Sequence, residues 1–152
     1  MHQRRKAREI ALQVLYELDV QNISVREAID RFWANFEAQE EAKAFSTLLI
    51  EGTWNNRERI DQLISTSSEN WTMARMSRVD KSILRMAVYE LLFCHDIPPK
   101  VTLNEAIDLG KVYGSENSGA FINGILDALY AKLRKKKDED QGIDSHTGSP
   151  GP

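Results

Sequence analysis

Apolar residues recur along this chain at spacings of three and four, and no stretch alternates convincingly at period two. That periodicity predicts helices throughout. Ile10, Ala11, Val14, Leu15 and Leu18 form the stripe of a first helix starting near Ala7. Ser24-Val25-Arg26-Glu27 is a capping box, and it opens a second helix with Ile29, Phe32 and Phe36 inward. A third helix is predicted over Glu40 to Thr53, burying Phe45, Leu48 and Leu49. A fourth, from Asn56 to Ser65, buries Ile60, Leu63 and Ile64, and the serine-rich run to Ser68 stops it. Ser77 precedes the most apolar helix of the chain. There Ile83, Leu84, Met86, Ala87, Val88, Leu91 and Leu92 cover most of the circumference, the pattern of a central, buried helix. Pro98-Pro99 cannot continue it. Thr102-Leu103-Asn104-Glu105 reads as a second capping box for a helix with Ala106, Gly110 and Gly114 along one face. The last helix runs from about Ser118 to Lys135, with Ile122, Ile125, Leu126, Leu129 and Leu133 inward.

These elements predict an all-α protein, a compact single domain of about seven helices over residues 1–137. Residues 138–152 are polar, rich in glycine and proline, and nearly free of aliphatic side chains. Such a segment buries too little surface to offset its ordering entropy, so it is expected to be a disordered tail.

Composition changes the picture in two places. A single cysteine, Cys94, excludes an internal disulfide. Neither a secretory leader nor a long apolar span is expected at the start or elsewhere, which predicts a cytoplasmic protein without a membrane segment. The net charge of −3 conceals an asymmetry. Arg4, Arg5, Lys6 and Arg8 cluster at one end and Arg134 to Lys137 at the other, with acids between and after them. Nucleic-acid binding follows the local field, so the mild overall acidity does not argue against it.

On the first helix, Arg5, Arg8, Leu12 and Tyr16 line one stripe, flanked by Arg4 and Lys6. Guanidinium groups neutralise phosphates, and an aromatic ring offers a stacking platform for an unpaired base. The same residues also fit a solvated basic helix start with a half-buried tyrosine. Cations near a helix N-terminus oppose the macrodipole, which suggests a use beyond helix stability. Asn117, Phe121 and Gly124 share a second face. They suit a phosphate or base edge at a helix N-terminus, or equally close helix packing at Gly124 with capping by Ser115 or Asn117. Asp80, Arg85, Tyr89 and Glu90 interrupt the apolar central helix. Either they meet a partner protein, or Arg85 forms an internal salt bridge.

Catalysis finds no footing. His2, His95 and His146 stand at no metal-ligand spacing, and neither a glycine-rich phosphate loop nor a nucleophile elbow occurs. No catalytic residue, metal or cofactor is assigned, and Cys94 reads as a packed or half-exposed thiol.

Three blocks stand out together. They are R-R-K-A-R-E-I-A-L-Q-V-L-Y at the start, V-D-K-S-I-L-R-M-A-V-Y-E-L with D-I-P-P-K-V-T-L-N-E-A-I-D-L-G-K-V-Y-G, and F-I-N-G-I-L-D. In order and spacing they resemble the NusB family of bacterial transcription antitermination factors, over about Arg4 to Leu133. The resemblance implies two packed helical sub-bundles. It also implies binding of the boxA element of ribosomal-RNA transcripts, jointly with the ribosomal protein NusE, within an antitermination complex on RNA polymerase. Carried over by position, Arg4, Arg5, Lys6, Arg8, Tyr16, Asn117 and Phe121 would contact RNA. Tyr16, Asp80, Arg85, Tyr89 and Glu90 would serve the partner side. Asn117 stands where relatives often carry aspartate.

Two other readings compete. One is a self-associating helical module whose homodimer masks the RNA surface. The other is an accessory domain of an RNA cytosine methyltransferase, which needs a cofactor-binding α/β domain downstream.

Overall fold

The computed structural model describes the backbone of residues 2–69 and 71–147 and the side chains of residues 3–69 and 71–140. Seven α-helices follow one another: α1 His2–Val20, α2 Val25–Asn35, α3 Glu40–Asn55, α4 Arg57–Ser67, α5 Arg78–Phe93, α6 Pro99–Tyr113 and α7 Ser118–Thr147. A short 3-10 turn, Met73–Arg75, leads into α5, and no strand occurs among the described residues. The expected all-α class and its two sub-bundles are both present. α1, α2 and α3 pack on one another; α4 to α7 form the second group; α5 touches α1, α3, α4, α6 and α7.

Sequence dictates that central place. Every residue from Ser82 to Glu90 is buried, as is Asp80. A helix buried on all sides must satisfy its polar side chains internally. Arg85 does so toward Asp61 of α4 and Asp19 of α1, and Glu90 toward Arg8 of α1 and Thr102 of α6. The polar residues of α5 are therefore the ties between the two sub-bundles.

The predicted caps hold at Ser24 and Ser77, whose hydroxyls accept from the backbone N–H of Glu27 and Asp80. At α6 the structure corrects the reading. The helix starts at Pro99, with Pro98 before it, and Thr102 lies inside the first turn. Proline at the first helical position loses no hydrogen bond and has φ already set, so the double proline starts this helix, while α5 has already ended at Phe93. Thr102, freed from capping, is buried and donates to Glu90 Oε1 at 3.0 Å.

Two expected core residues are largely exposed. Phe36 follows the last turn of α2 in extended conformation and stacks on Phe32. Leu48 lies beside the buried stripe of α3, formed by Ala42, Ser46, Leu49, Ile50 and Thr53. α7 also runs past its predicted end at Lys135, through Thr147. Arg134/Asp138, Lys135/Glu139 and Lys136/Asp140 place opposite charges four residues apart, which supports a solvated helix there. The remainder of the predicted tail, residues 148–152, lies outside the described residues.

Glycines record where backbones close in. A methyl group at Gly110 would meet Ile122 Cδ1 of α7 at 2.6 Å, and one at Gly52 would overlap the Tyr89 ring of α5. Gly124, read as a close-packing position, instead faces open space with nothing within 4 Å. Opposite outcomes are expected for the same substitution in two helices. Gly52→Ala should lower stability by about 1–3 kcal/mol through overpacking. Gly124→Ala should raise it by about 0.5–1 kcal/mol through helix propensity. Urea unfolding of the two variants measures both, and equal effects would contradict this account.

Candidate nucleic-acid interface

The basic start of α1 is largely neutralised from within. Arg4 Nη2 donates to Asp96 Oδ2 at 3.1 Å, in the turn between α5 and α6. Arg5 reaches both carboxylate oxygens of Glu105 at 3.3 Å, with Asp108 at 3.6 Å. These carboxylates supply the compensation that the macrodipole denies to cations at this helix end. Arg4 and Arg5 remain accessible, and Lys6 is exposed with no carboxylate partner among the described residues.

Arg8 departs from the predicted stripe. It is 3% exposed and forms a bidentate pair with Glu90, at 2.9 and 2.8 Å. Burial works to lower its pKa, but the hydrogen bonds and charge of Glu90 outweigh burial and raise it above the ordinary arginine value. Glu90 occupies its Nε–Nη2 edge and burial covers nearly all the rest, so Arg8 is removed from the accessible cations of this face. Leu12 is buried as well, while Tyr16 is 42% exposed.

From this start a continuous face can be followed. Arg5 meets Glu105 and Asp108 of α6; further along the same two helices, the Tyr113 hydroxyl donates to Glu9. Beyond Tyr16, Asp19 meets Arg78 and Lys81 at the start of α5, at 3.7 and 3.5 Å. That helix start, with Ser77 and Asp80, forms one wall of a cavity of about 270 Å³. Its other walls are Trp71, Arg75 and Met76 before α5, and Ser115, Asn117 and Phe121 around the start of α7. The Trp71 and Phe121 rings meet edge to face at 5.9 Å, and the Arg75 guanidinium stands over Trp71 at 5.8 Å. Asp80 is buried, and its Oδ1 has no hydrogen-bond partner among the described residues. Flat aromatic walls, a carboxylate with a spare acceptor and the Asn117 amide together suit a planar heterocycle carrying N–H donors.

The structure thus brings Asp80, Asn117 and Phe121 into one cavity, with Arg4, Arg5, Lys6 and Tyr16 along the helix leading toward it. Trp71 and Arg75 were not anticipated, because they sit in an irregular segment where periodicity carries no signal.

Three residues expected at a partner surface are interior. Arg85 is bidentate to Asp61 at 2.8 and 2.9 Å and also reaches Asp19 at 3.1 Å. Glu90 is closed by Arg8 and Thr102, and Tyr89 lies against Gly52 with 7% exposure. The polar groups of Arg85 and Glu90 are consumed by helix-to-helix ties, which corrects the partner assignment for these two, and the Tyr89 ring is packed inward against α3. Cys94 is buried, and burial pushes its thiol up to about 11. Among the described residues no cluster of His, Cys, Asp and Glu could hold a metal, and no helix is long and apolar enough to cross a membrane.

The NusB family model matches residues 5–131. The chain belongs to the NusB family. It is 69% identical over 141 residues to the transcription antitermination protein NusB of Syntrophus aciditrophicus strain SB, covering 93% of this chain and 88% of that protein. Its fold matches Thermotoga (T. maritima) NusB with a TM-score of 0.75 at 38% identity, over 83% of this chain and 89% of that one. It also matches a chain of a crystal structure of the antitermination factors NusB and NusE in complex with dsRNA. That TM-score is 0.77 at 28% identity, over 87% of this chain and 98% of the other. The matched region of this NusB-family chain contains every residue of the cavity and all of α1 from Arg5 onward.

Arg8 is therefore expected to act on stability first. Arg8→Ala leaves the Glu90 carboxylate buried without its cation, a loss of about 3–5 kcal/mol. Arg4→Ala, at a mostly solvated pair, should cost about 0–1 kcal/mol. Thermal unfolding of the two variants distinguishes them, and similar midpoints would refute the buried-pair assignment.

Proposed function

We propose that this chain is a transcription antitermination factor that binds boxA RNA of ribosomal-RNA transcripts together with the ribosomal protein NusE, in a complex on RNA polymerase in the cytoplasm. Its membership in a family whose members are named transcription antitermination proteins supports this reading, as does its likeness to a NusB chain solved with NusE and RNA. The observation that carries the reading is the cavity at the junction of α5 and α7. It pairs two aromatic walls with an unsatisfied carboxylate oxygen, at the end of a face that begins with accessible cations.

The division of labour follows from the chemistry. Arg4, Arg5 and Lys6 attract phosphates. Arg4 and Arg5 exchange an internal carboxylate for a phosphate, whereas Lys6 has none to give up. Tyr16 offers an exposed ring midway along the face. Phe121, with Trp71, stacks on a base, while Asp80 and Asn117 accept from its edge and select among bases. NusE extends the RNA surface, so the two ligands bind with positive coupling, each tightening the other by the same factor. Tyr16 would lie at the edge shared by RNA and NusE, and the surroundings of Asp80 would tune formation of the complex.

Fluorescence anisotropy with a short boxA RNA and a scrambled control, with and without NusE, tests this reading. Selective binding that tightens with NusE is expected. Phe121→Ala and Trp71→Ala should each weaken boxA binding by about 1–3 kcal/mol and reduce the preference over the scrambled sequence. Lys6→Ala should weaken both RNAs alike and reduce the salt slope by about 0.7. Equal, weak binding of both RNAs by the unaltered protein, unmoved by NusE, would refute the reading.

A further inference from the structure

The cavity at Trp71 and Phe121 does not end there. Both rings also wall a trough between α4 and α7 that passes Thr66, Gly124 and Lys132. Thr66 in turn borders a groove of about 770 Å³ lined by Arg59, His95, Leu133, Lys136 and Lys137. Arg59 then borders a further hollow at Trp54 and Arg57. The trough and the groove follow the seam where α4 packs on α7, and the hollow continues from them at the α3–α4 corner.

The cations of this seam differ from those of α1. Arg57, Arg59, Lys136 and Lys137 form no ion pair among the described residues, whereas Arg4, Arg5 and Arg8 all do. Lys132 donates to the Thr66 carbonyl and keeps its charge in the trough. Three carboxylates border these spaces, Glu58 in the hollow, Asp140 in the groove and Glu69 in the trough, against the five cations Arg57, Arg59, Lys132, Lys136 and Lys137, so the balance is positive. Aromatic rings alternate with these cations. The Arg57 guanidinium lies 3.8 Å from the Trp54 ring centre, and Arg59 stands 5.8 Å from that of Phe93, which is itself 41% exposed. Cations interleaved with aromatic faces along a groove bind single strands through phosphate neutralisation and stacking, with little sequence preference. At 1.5 Å per residue α4 is about 16 Å long, room for on the order of four phosphates.

We propose that the α4–α7 seam is a second RNA track, which takes the single strand leaving the Trp71–Phe121 cavity and holds it by its backbone, whatever its sequence. The inference deepens the RNA-binding reading and rests on it for the identity of the strand.

The test compares three probes by anisotropy over a salt series: a short boxA RNA, the same RNA with uridine flanks on both sides, and oligouridine of about twenty nucleotides. The unaltered protein should bind the flanked RNA about tenfold more tightly than the short one. In the triple variant Arg59→Ala, Lys136→Ala, Lys137→Ala, affinity for the short RNA should be unchanged and the tenfold gain lost. The salt slope for the flanked RNA should fall by about two, at about 0.7 per phosphate contact. A second variant, Lys136→Glu with Lys137→Glu on the exposed face of α7, should show the same loss without touching α4. If the gain survives in both variants, or flanks give the unaltered protein no gain, the track is overturned. The groove's charge would then belong to another partner, such as an acidic protein. If oligouridine binds and both variants lose it while boxA selectivity is absent, the track stands and the boxA reading falls.

Discussion

One buried ion pair organises this molecule. Arg8 and Glu90 meet in the interior with two short hydrogen bonds, and Thr102 completes the carboxylate's shell. The pair joins α1 to α5 and α6 at once, so it fixes how the first sub-bundle sits on the second. Arg85, with Asp61 and Asp19, repeats the device about one and a half turns earlier on α5 and adds α4. An apolar seam tolerates sliding, because one aliphatic contact resembles the next. A bidentate guanidinium–carboxylate pair has one geometry, so these two ties convert a greasy central helix into a unique register.

That register decides what the surface can do. With α1 locked to α6, the cations at its start face the carboxylates of α6 and the α5–α6 turn, and only part of their charge remains for a ligand. With the start of α5 held beside the start of α7, Asp80 of the one converges on a single cavity with Asn117 and Phe121 of the other. The same packing leaves the α4–α7 seam open, with its cations in excess over the carboxylates beside them. The accessible cations and the aromatic cavity thus lie on different parts of the fold.

Much of the fold was legible from local pattern. Helix number, the buried character of α5 and the serine caps all arise from interactions within a few residues, which the sequence displays directly. The misreadings share a cause. Arg8, Arg85 and Glu90 look like surface residues because their type is usually solvated; their partners lie 82, 24 and 12–82 residues away, beyond any local window. Thr102 matched a cap motif, yet the rigid φ of Pro99 started the helix earlier. The motif singles out Phe121 and Asn117, which line the cavity, whereas Trp71 and Arg75 on its other walls lie in a segment between α4 and α5 with no period to betray which side chains turn inward.

The separation between Arg8 and its partners also sets the order in which the protein can be completed. As the chain leaves the ribosome, α1, α2 and α3 emerge first, carrying a charged Arg8 on the very face that must become dry. Its carboxylate is synthesised 82 residues later, and the Thr102 hydroxyl 12 residues after that. Until then the face of α1 that carries Arg8 must stay hydrated, since closing it would bury an unpaired guanidinium. Drying of that face is deferred to the arrival of the C-terminal half.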